Sequence, residues 1–262
     1  MEHTRGIHKT TAEEFPMDSR YERQIALPEI GEKGQRKLSA ARVVVVGAGG
    51  LGSPVLYCLA SAGVGHIKII DSDRLDITNL NRQFLHFESD IGRQKALSAQ
   101  EKLARYNPDI YVHSVAVALD SANTTKQLSG YDIVLSCVDN KKARYLLNRA
   151  CVNGGIPLVD GGLRGFEGYV LTVLPGVTPC YHCLFPQKKG KDPSGIPGVL
   201  GAVAGVIGSM MAVEAVKHIA GIPIDSYFHY VDTLSFRVTP IAAKRRPDCL
   251  VCGLGSNALD TP

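Results

Sequence analysis

The stretch "RVVVVGAGGLGSPVLYCLASAGV", residues 42 to 64, constrains the fold more than any other part of the chain. It reads as a continuous apolar strand, a glycine turn and a helical pattern, the opening of a βαβ unit. "HIKIID" follows as a second strand. Helix-period residues fill 94 to 106, "IYVHSVAV" reads as a strand, and "YDIVLSCVDN" carries another that ends at an acid. A helical pattern covers 142 to 153, and "IPLVDGGL" adds one more strand. This alternation predicts an α/β fold, a Rossmann-like, doubly wound and mostly parallel sheet with its ligand at the strands' C-terminal ends. Beyond about residue 163 the pattern changes. "GYVLTVLP" and "SYFHYVDTLSFRVTP" read as strands joined to a long helix near 198 to 220, which predicts a mixed, antiparallel C-terminal extension.

With 262 residues, 45% hydrophobic and 21% charged, the chain has ordinary globular composition and length for one large domain. Its net charge of +4 is too small for a nucleic-acid face. The basic clusters Lys188, Lys189, Lys191 and Lys244, Arg245, Arg246 lie in Pro/Gly-rich stretches and read as solvated loops. The first residues mix both charges without an apolar core, so no export signal is read there. "VLGAVAGVIGSMMAV" falls short of the roughly 20 apolar residues a membrane span needs. It reads as a buried helix whose Gly201, Gly205 and Gly208 admit a close neighbour. No nucleic-acid or membrane partner is expected, and a reducing, cytoplasmic setting is.

Gly47, Gly49 and Gly52, with Gly50 beside them, fit G-x-G-x-x-G in the strand-to-helix context that gives the pattern meaning. Backbone N–H groups and the helix N-terminus then meet phosphate. Asp71 ends the second strand, where an acid accepts hydrogen bonds from ribose hydroxyls. Asp73 and Asp76 are further contacts or plain surface acids. To this point a nicotinamide dinucleotide and ATP fit equally.

Cys180 and Cys183 ("CYHC") with Cys249 and Cys252 ("CLVC") form two CxxC knuckles, a set suited to tetrahedral zinc with no position left open for water. Disulfides or a redox CxxC are the competing reading. Cys58, Cys137 and Cys151 fall inside helix or strand patterns and read as small buried hydrophobes.

"RYERQI" at 20 to 25, "GAGGLGS" at 47 to 53, "DSDRLDITNLNRQ" at 71 to 83, "GRQKA" at 92 to 96, "CVDN" at 137 to 140 and the two CxxC pairs occur in that order. Together they closely resemble the ubiquitin-activating-enzyme-like adenylyltransferases that activate the sulfur carriers of molybdopterin and thiamine synthesis, over residues 18 to 253. The resemblance implies ATP and Mg²⁺ as cofactors beside structural Zn²⁺. It also implies attack of a carrier's C-terminal glycine carboxylate on the α-phosphorus. Arg82 and Asn79 would face the phosphates, Lys95 the phosphate and developing charge, and Asp139 would hold magnesium. Arg23 would reach a neighbour's site across a homodimer. Gln83 and Arg144 are secondary candidates.

Residues 40 to 163 would form the nucleotide part and 164 to 253 the carrier-binding and zinc part, between tails at 1 to 17 and 254 to 262. The expected partner is a small ubiquitin-like sulfur carrier ending in Gly-Gly, its tail received near "PQKKGKDPSGIP". Many relatives carry a cysteine where registration on Gly198 puts Ser194, so a covalent cysteine intermediate is not expected. No rhodanese-like segment follows residue 253, so sulfur is expected from a separate donor protein. Two alternatives stay open. One is adenylation of a small-molecule or tRNA-linked carboxylate. The other is a nicotinamide-dependent oxidoreductase, which leaves Arg82, Lys95 and Asp139 without a task.

Overall fold

The computed structural model describes residues 17–187, 198–224 and 227–253. The loop segment containing Lys188, Lys189, Lys191 and Ser194 and both outer tails lie outside the described residues.

Two helices the sequence did not announce, α1 (Met17–Ile25) and α2 (Gly31–Ala40), precede the first strand. They dock through polar anchors. Gln24 and Gln35 both donate to the Ala62 carbonyl, at 2.9 and 3.1 Å, and the buried Tyr21 hydroxyl accepts from Asn107 Nδ2 at 2.9 Å.

Strand β1 (Arg42–Val46) leads into α3 (Gly52–Ser61) and β2 (His66–Ile70), then α4 (Lys95–Tyr106) and β3 (Tyr111–Val115). The short α5 (Thr124–Leu128), β4 (Ile133–Ser136), α6 (Lys141–Gly154) and β5 (Leu158–Arg164) complete the winding. β6 (Glu167–Val173), α7 (Tyr181–Leu184), α8 (Gly201–Ala220), β7 (Phe228–Asp232) and β8 (Arg237–Pro240) follow. All eight strands join one sheet in the order β3-β2-β1-β4-β5-β6-β7-β8. The first five in that order run parallel, and β5 to β8 pair antiparallel as the extension expected from the sequence.

The valines of β1 explain its central place. Val43 to Val46 are buried on both faces, paired with Ile67 to Ile70 on one side and Ile133 to Ser136 on the other. Each buried valine side chain contributes about 1.5–3 kcal/mol. Strand order reverses between β1 and β4, and at such a switch point the loops part to leave a crevice.

α8 matches the long helix read near 198 to 220. It spans 20 residues, 18 of which have a mean hydropathy of 1.4, enough by length and composition to cross a bilayer. Its packing accounts for that composition. Val203, Ile207, Met211 and Ala215 are buried against the sheet, and Gly208 sits so close to α3 that a Cβ would lie 2.3 Å from Pro54 Cγ. The buried Glu214 accepts from Thr172 Oγ1 at 3.0 Å and from Lys217 Nζ at 2.8 Å.

Candidate active site

A cavity of about 650 Å³ opens at the switch point, a size suited to a nucleotide. Its floor is the turn between β1 and α3. Gly47 leaves the strand at φ 98°, a left-handed conformation, with Cys137 O so close that a Cβ would lie 2.7 Å from it. Gly52 admits the helix start, since a Cβ there would lie 2.1 Å from Gly47 O. Gly47, Gly49 and Gly50 line the cavity, while Gly52 serves the packing beneath it.

Asp71 also lines the cavity and braces this turn. Its carboxylate accepts from Ala48 N–H at 2.7 Å and Asp73 N–H at 2.8 Å. Burial pushes its carboxyl above the usual range, with those two bonds opposing the effect.

The segment "ITNLNRQ", residues 77 to 83, becomes a tight turn that delivers two side chains. Asp76 caps it, accepting from Thr78 N–H at 2.9 Å and Thr78 Oγ1 at 2.7 Å, so this acid is occupied structurally. Asn79 Oδ1 in turn accepts from Asp76 N–H at 3.2 Å, and its carbonyl accepts from Arg82 N–H and Gln83 N–H. Asn79 does not line the cavity. It shapes the turn that brings Arg82 and Gln83 there. Arg82 is half-buried, its Nη1 donating to Thr78 O at 2.8 Å and Asn81 Oδ1 at 2.9 Å. Gly201 of α8 lets this turn approach, because a Cβ there would lie 2.4 Å from Asn81 O. Gln83 is buried, and its Oε1 has no hydrogen-bond partner among the described residues. A buried amide oxygen without a partner is costly, and a ligand in the cavity is one way to satisfy it.

Lys95 opens α4, buried along its length, with Nζ 3.1 Å from the exposed carboxylate of Asp73. Asp139 follows β4 and lines the cavity with its carboxylate exposed. Arg144, also at the cavity wall, is committed elsewhere. It donates to both oxygens of buried Asp160 at 2.8 and 2.7 Å and to Val138 O at 2.6 Å. Burial opposes its charge, but the Asp160 carboxylate outweighs this and holds the guanidinium above its ordinary range. Cys137 faces the same wall with a thiol pushed up by burial and by Asp160, a poor nucleophile. Burial likewise pushes Cys151 up to about 12. Arg23 is exposed on α1 and does not line the cavity.

One residue that the sequence reading missed is His86. It is buried, with Nε2 2.8 Å from Ala48 O and Nδ1 2.9 Å from Ser98 Oγ. A lone histidine three residues after Gln83 carried no spacing signal that singled it out.

The cavity draws on both parts of the chain, since Val199 and Ala204 line it together with the glycine turn. Behind the antiparallel strands, the sulfurs of Cys180, Cys183, Cys249 and Cys252 lie within 4.8 Å of one another, all four buried. Cys180 and Cys249 are 3.7 Å apart, Cys180 and Cys183 3.9 Å, and Cys183 and Cys252 3.3 Å. A tetrahedron of thiolates at ~2.3 Å from zinc has edges of ~3.8 Å, so the four fit such an ion, whereas a disulfide needs sulfurs at ~2.05 Å. Arg245 ties the second knuckle down through Gly176 O at 2.6 Å, and Arg246 pairs with Asp248 at 2.8 Å.

The ThiF family pattern matches residues 21–251. The chain belongs to the ThiF family. "Sulfur carrier protein adenylyltransferase" of Thermus thermophilus is 42% identical, over 89% of this chain and 90% of its own length. "SAMP-activating enzyme E1" of Haloferax volcanii is 40% identical, over 90% and 89%. "Adenylyltransferase and sulfurtransferase MOCS3" of Mus musculus is 42% identical over 89% of this chain, which spans only 52% of that protein. Among solved structures, E. coli MccB with ATP is similar at a TM-score of 0.76 and 26% identity, covering 84% of this chain and 69% of that one.

Proposed function

We propose that this chain adenylates the C-terminal glycine carboxylate of a small ubiquitin-like sulfur carrier, releasing pyrophosphate. The observation that carries the reading is the convergence of the glycine turn, Asp71, Arg82, Lys95 and Asp139 on one cavity, in a chain of the ThiF family. The nicotinamide reading loses its ground, because it needs the turn and Asp71 but gives the two cations nothing to do.

In this reaction a carboxylate oxygen of the carrier attacks the α-phosphorus of ATP, and the bond from that phosphorus to the bridging oxygen breaks. An acyl-adenylate forms and pyrophosphate leaves with the electron pair. Negative charge grows on the nonbridging oxygens and on the leaving group. Arg82 and Lys95 are the cations for it, and their partners are exchangeable. Arg82 holds neutral oxygens, and Lys95 holds the exposed Asp73 carboxylate. Positive charge held at such a place favours the transition state. Asp139 offers magnesium a carboxylate oxygen, the donor type that ion prefers, and the ion when bound neutralises phosphate charge. The four cysteines hold zinc as a structural ion. Asn79 acts through the turn that Asp76 caps.

Arg23 requires a second copy of the chain, which makes the working unit a homodimer. A cytoplasmic setting, a separate protein as sulfur donor and arrest at the adenylate complete the reading. A second reading, adenylation of a peptide or another small carboxylate, is favoured by the likeness to MccB, whose solved structures include one with "SeMet MccA".

ATP–pyrophosphate exchange with candidate carriers tests the proposal, comparing wild type with Asp139→Ala and each carrier with a form lacking its terminal glycine. Exchange that needs both the glycine and Asp139 is the expected result. Exchange indifferent to the terminal glycine would overturn the carrier as substrate.

A further inference from the structure

We propose that His86 is a positioning residue that fixes the peptide between Ala48 and Gly49, and so aims the glycine turn at the phosphates. The inference rests on the ATP reading above. Glycines at 47, 49 and 50 free the turn to bend around a ligand, and that same freedom lets its peptides rotate away. Ala48 is the point where rotation is stopped, because its peptide groups are held on two sides. Its N–H donates to Asp71 Oδ2 at 2.7 Å, and its carbonyl lies 2.8 Å from His86 Nε2.

The direction of the second bond follows from the donors behind it. Lys102 Nζ, which can only donate, lies 2.6 Å from Ser98 Oγ. That oxygen therefore accepts, and the Ser98 proton is available to His86 Nδ1 at 2.9 Å. A neutral imidazole that accepts at Nδ1 carries its own proton on Nε2 and donates it to Ala48 O. Lys102 is held in turn by an ion pair with the buried Asp90, which also accepts from Phe87 N–H at 2.8 Å and Arg93 Nη1 at 3.1 Å. The chain thus runs from a fixed ammonium through two neutral groups to one backbone carbonyl. Burial and the nearby Lys102 and Lys95 cations keep the ring neutral, against the pull of Asp90.

The carbonyl and N–H of a planar trans peptide point in opposite directions. Holding Ala48 C=O against His86 therefore turns Gly49 N–H away from it, and Gly49 lines the cavity. Loss of the Nε2 donor leaves a buried carbonyl unpaired and the Gly49 N–H unaimed. An effect on nucleotide binding of about 10- to 100-fold corresponds to that kind of defect.

The test compares His86→Gln, which keeps a side-chain N–H donor, with His86→Leu, which keeps comparable bulk and loses the donor. Affinity for magnesium ATP is measured by calorimetry, and the KM for ATP is separated from kcat in pyrophosphate exchange. The expected result is near-normal binding by His86→Gln and about 10- to 100-fold weaker binding by His86→Leu, with the loss mainly in KM. Equal binding by the two variants would overturn the proposal and leave His86 as packing. Nitrogen-15 NMR of the wild-type imidazole gives a measurement that no folding defect can spoil. Protonation at Nε2 supports the assignment, and a ring protonated at Nδ1 alone refutes it. Failure of the wild-type protein to bind ATP would fall on the ATP reading, whereas wild-type binding with an indifferent His86→Leu falls on this inference alone.

Discussion

Asn140, and not the adjacent Asp139, caps α6. Asn140 Oδ1 accepts from Ala143 N–H at 2.9 Å, while the Asp139 carboxylate stays exposed at the cavity. A carboxylate at this position is a natural helix cap, and assigning the cap to its neighbour releases it for cation chemistry.

The two neighbours should therefore fail in opposite ways. Asp139→Asn lowers exchange by about 10²-fold or more while leaving stability within about 0.5 kcal/mol. Asn140→Ala lowers stability by about 1 kcal/mol through the lost cap. Exchange assays and urea unfolding of both variants separate the roles.

Arg144 and Asp160 form a buried pair whose members depend on each other. Removing the charge of Arg144 alone, as Arg144→Leu, leaves a carboxylate buried without its partner and costs about 3–5 kcal/mol. Arg144→Leu combined with Asp160→Asn costs less than Arg144→Leu alone. A denaturation cycle on the single and double variants reads the coupling directly.

Arg23, exposed on α1 and away from its own cavity, should work in trans. Arg23→Ala and Asp139→Ala chains, each inactive alone, regain exchange when unfolded together and refolded as mixed dimers, since one site then has both residues. No recovery in a verified heterodimer would place Arg23 outside the partner's site.

The four-cysteine cluster should carry about one zinc per chain, measured by elemental analysis. Cys183→Ser lowers both the zinc content and the melting temperature, because the ion joins knuckles that are distant in sequence. Activity is expected to fall with folding rather than ahead of it.

His86 gives the stability a pH dependence of known sign. Burial holds its folded pKa below the ordinary value, the bond to Ala48 opposing it, with Lys102 and Lys95 lowering it further and Asp90 raising it. The unfolded chain takes up a proton near pH ~6.5 that the folded chain resists. Unfolding free energy therefore falls as pH drops from about 6.5 toward the folded pKa, and is unaffected by this group above that window. His86→Gln should flatten the slope, read from urea unfolding at several pH values.

Much of the fold was legible because its signals are local. The valine run, the glycine turn and the acid at 71 lie within one βαβ unit, where spacing alone sets geometry. α1 and α2 were not legible, since few apolar residues mark them: Tyr21 and Leu38 are buried, and polar contacts to Ala62 and Asn107 do much of the docking. Asn79 and Gly52, expected among the nucleotide contacts, do not line the cavity and shape the turns beside it. Sequence spacing places a side chain near a site but does not say which backbone group it will meet.

The sequence by itself determined the sheet's parallel half, the place of the crevice and the residue types around it, because strand and helix periods are properties of neighbouring residues. Only the tertiary structure decided which members of that set are committed. Arg144 is bound to Asp160, and Ala48 is held by Asp71 and by a histidine from another segment. Those outcomes depend on hydrogen-bond geometry between elements far apart in the chain, and such distances exist only once the layers have packed.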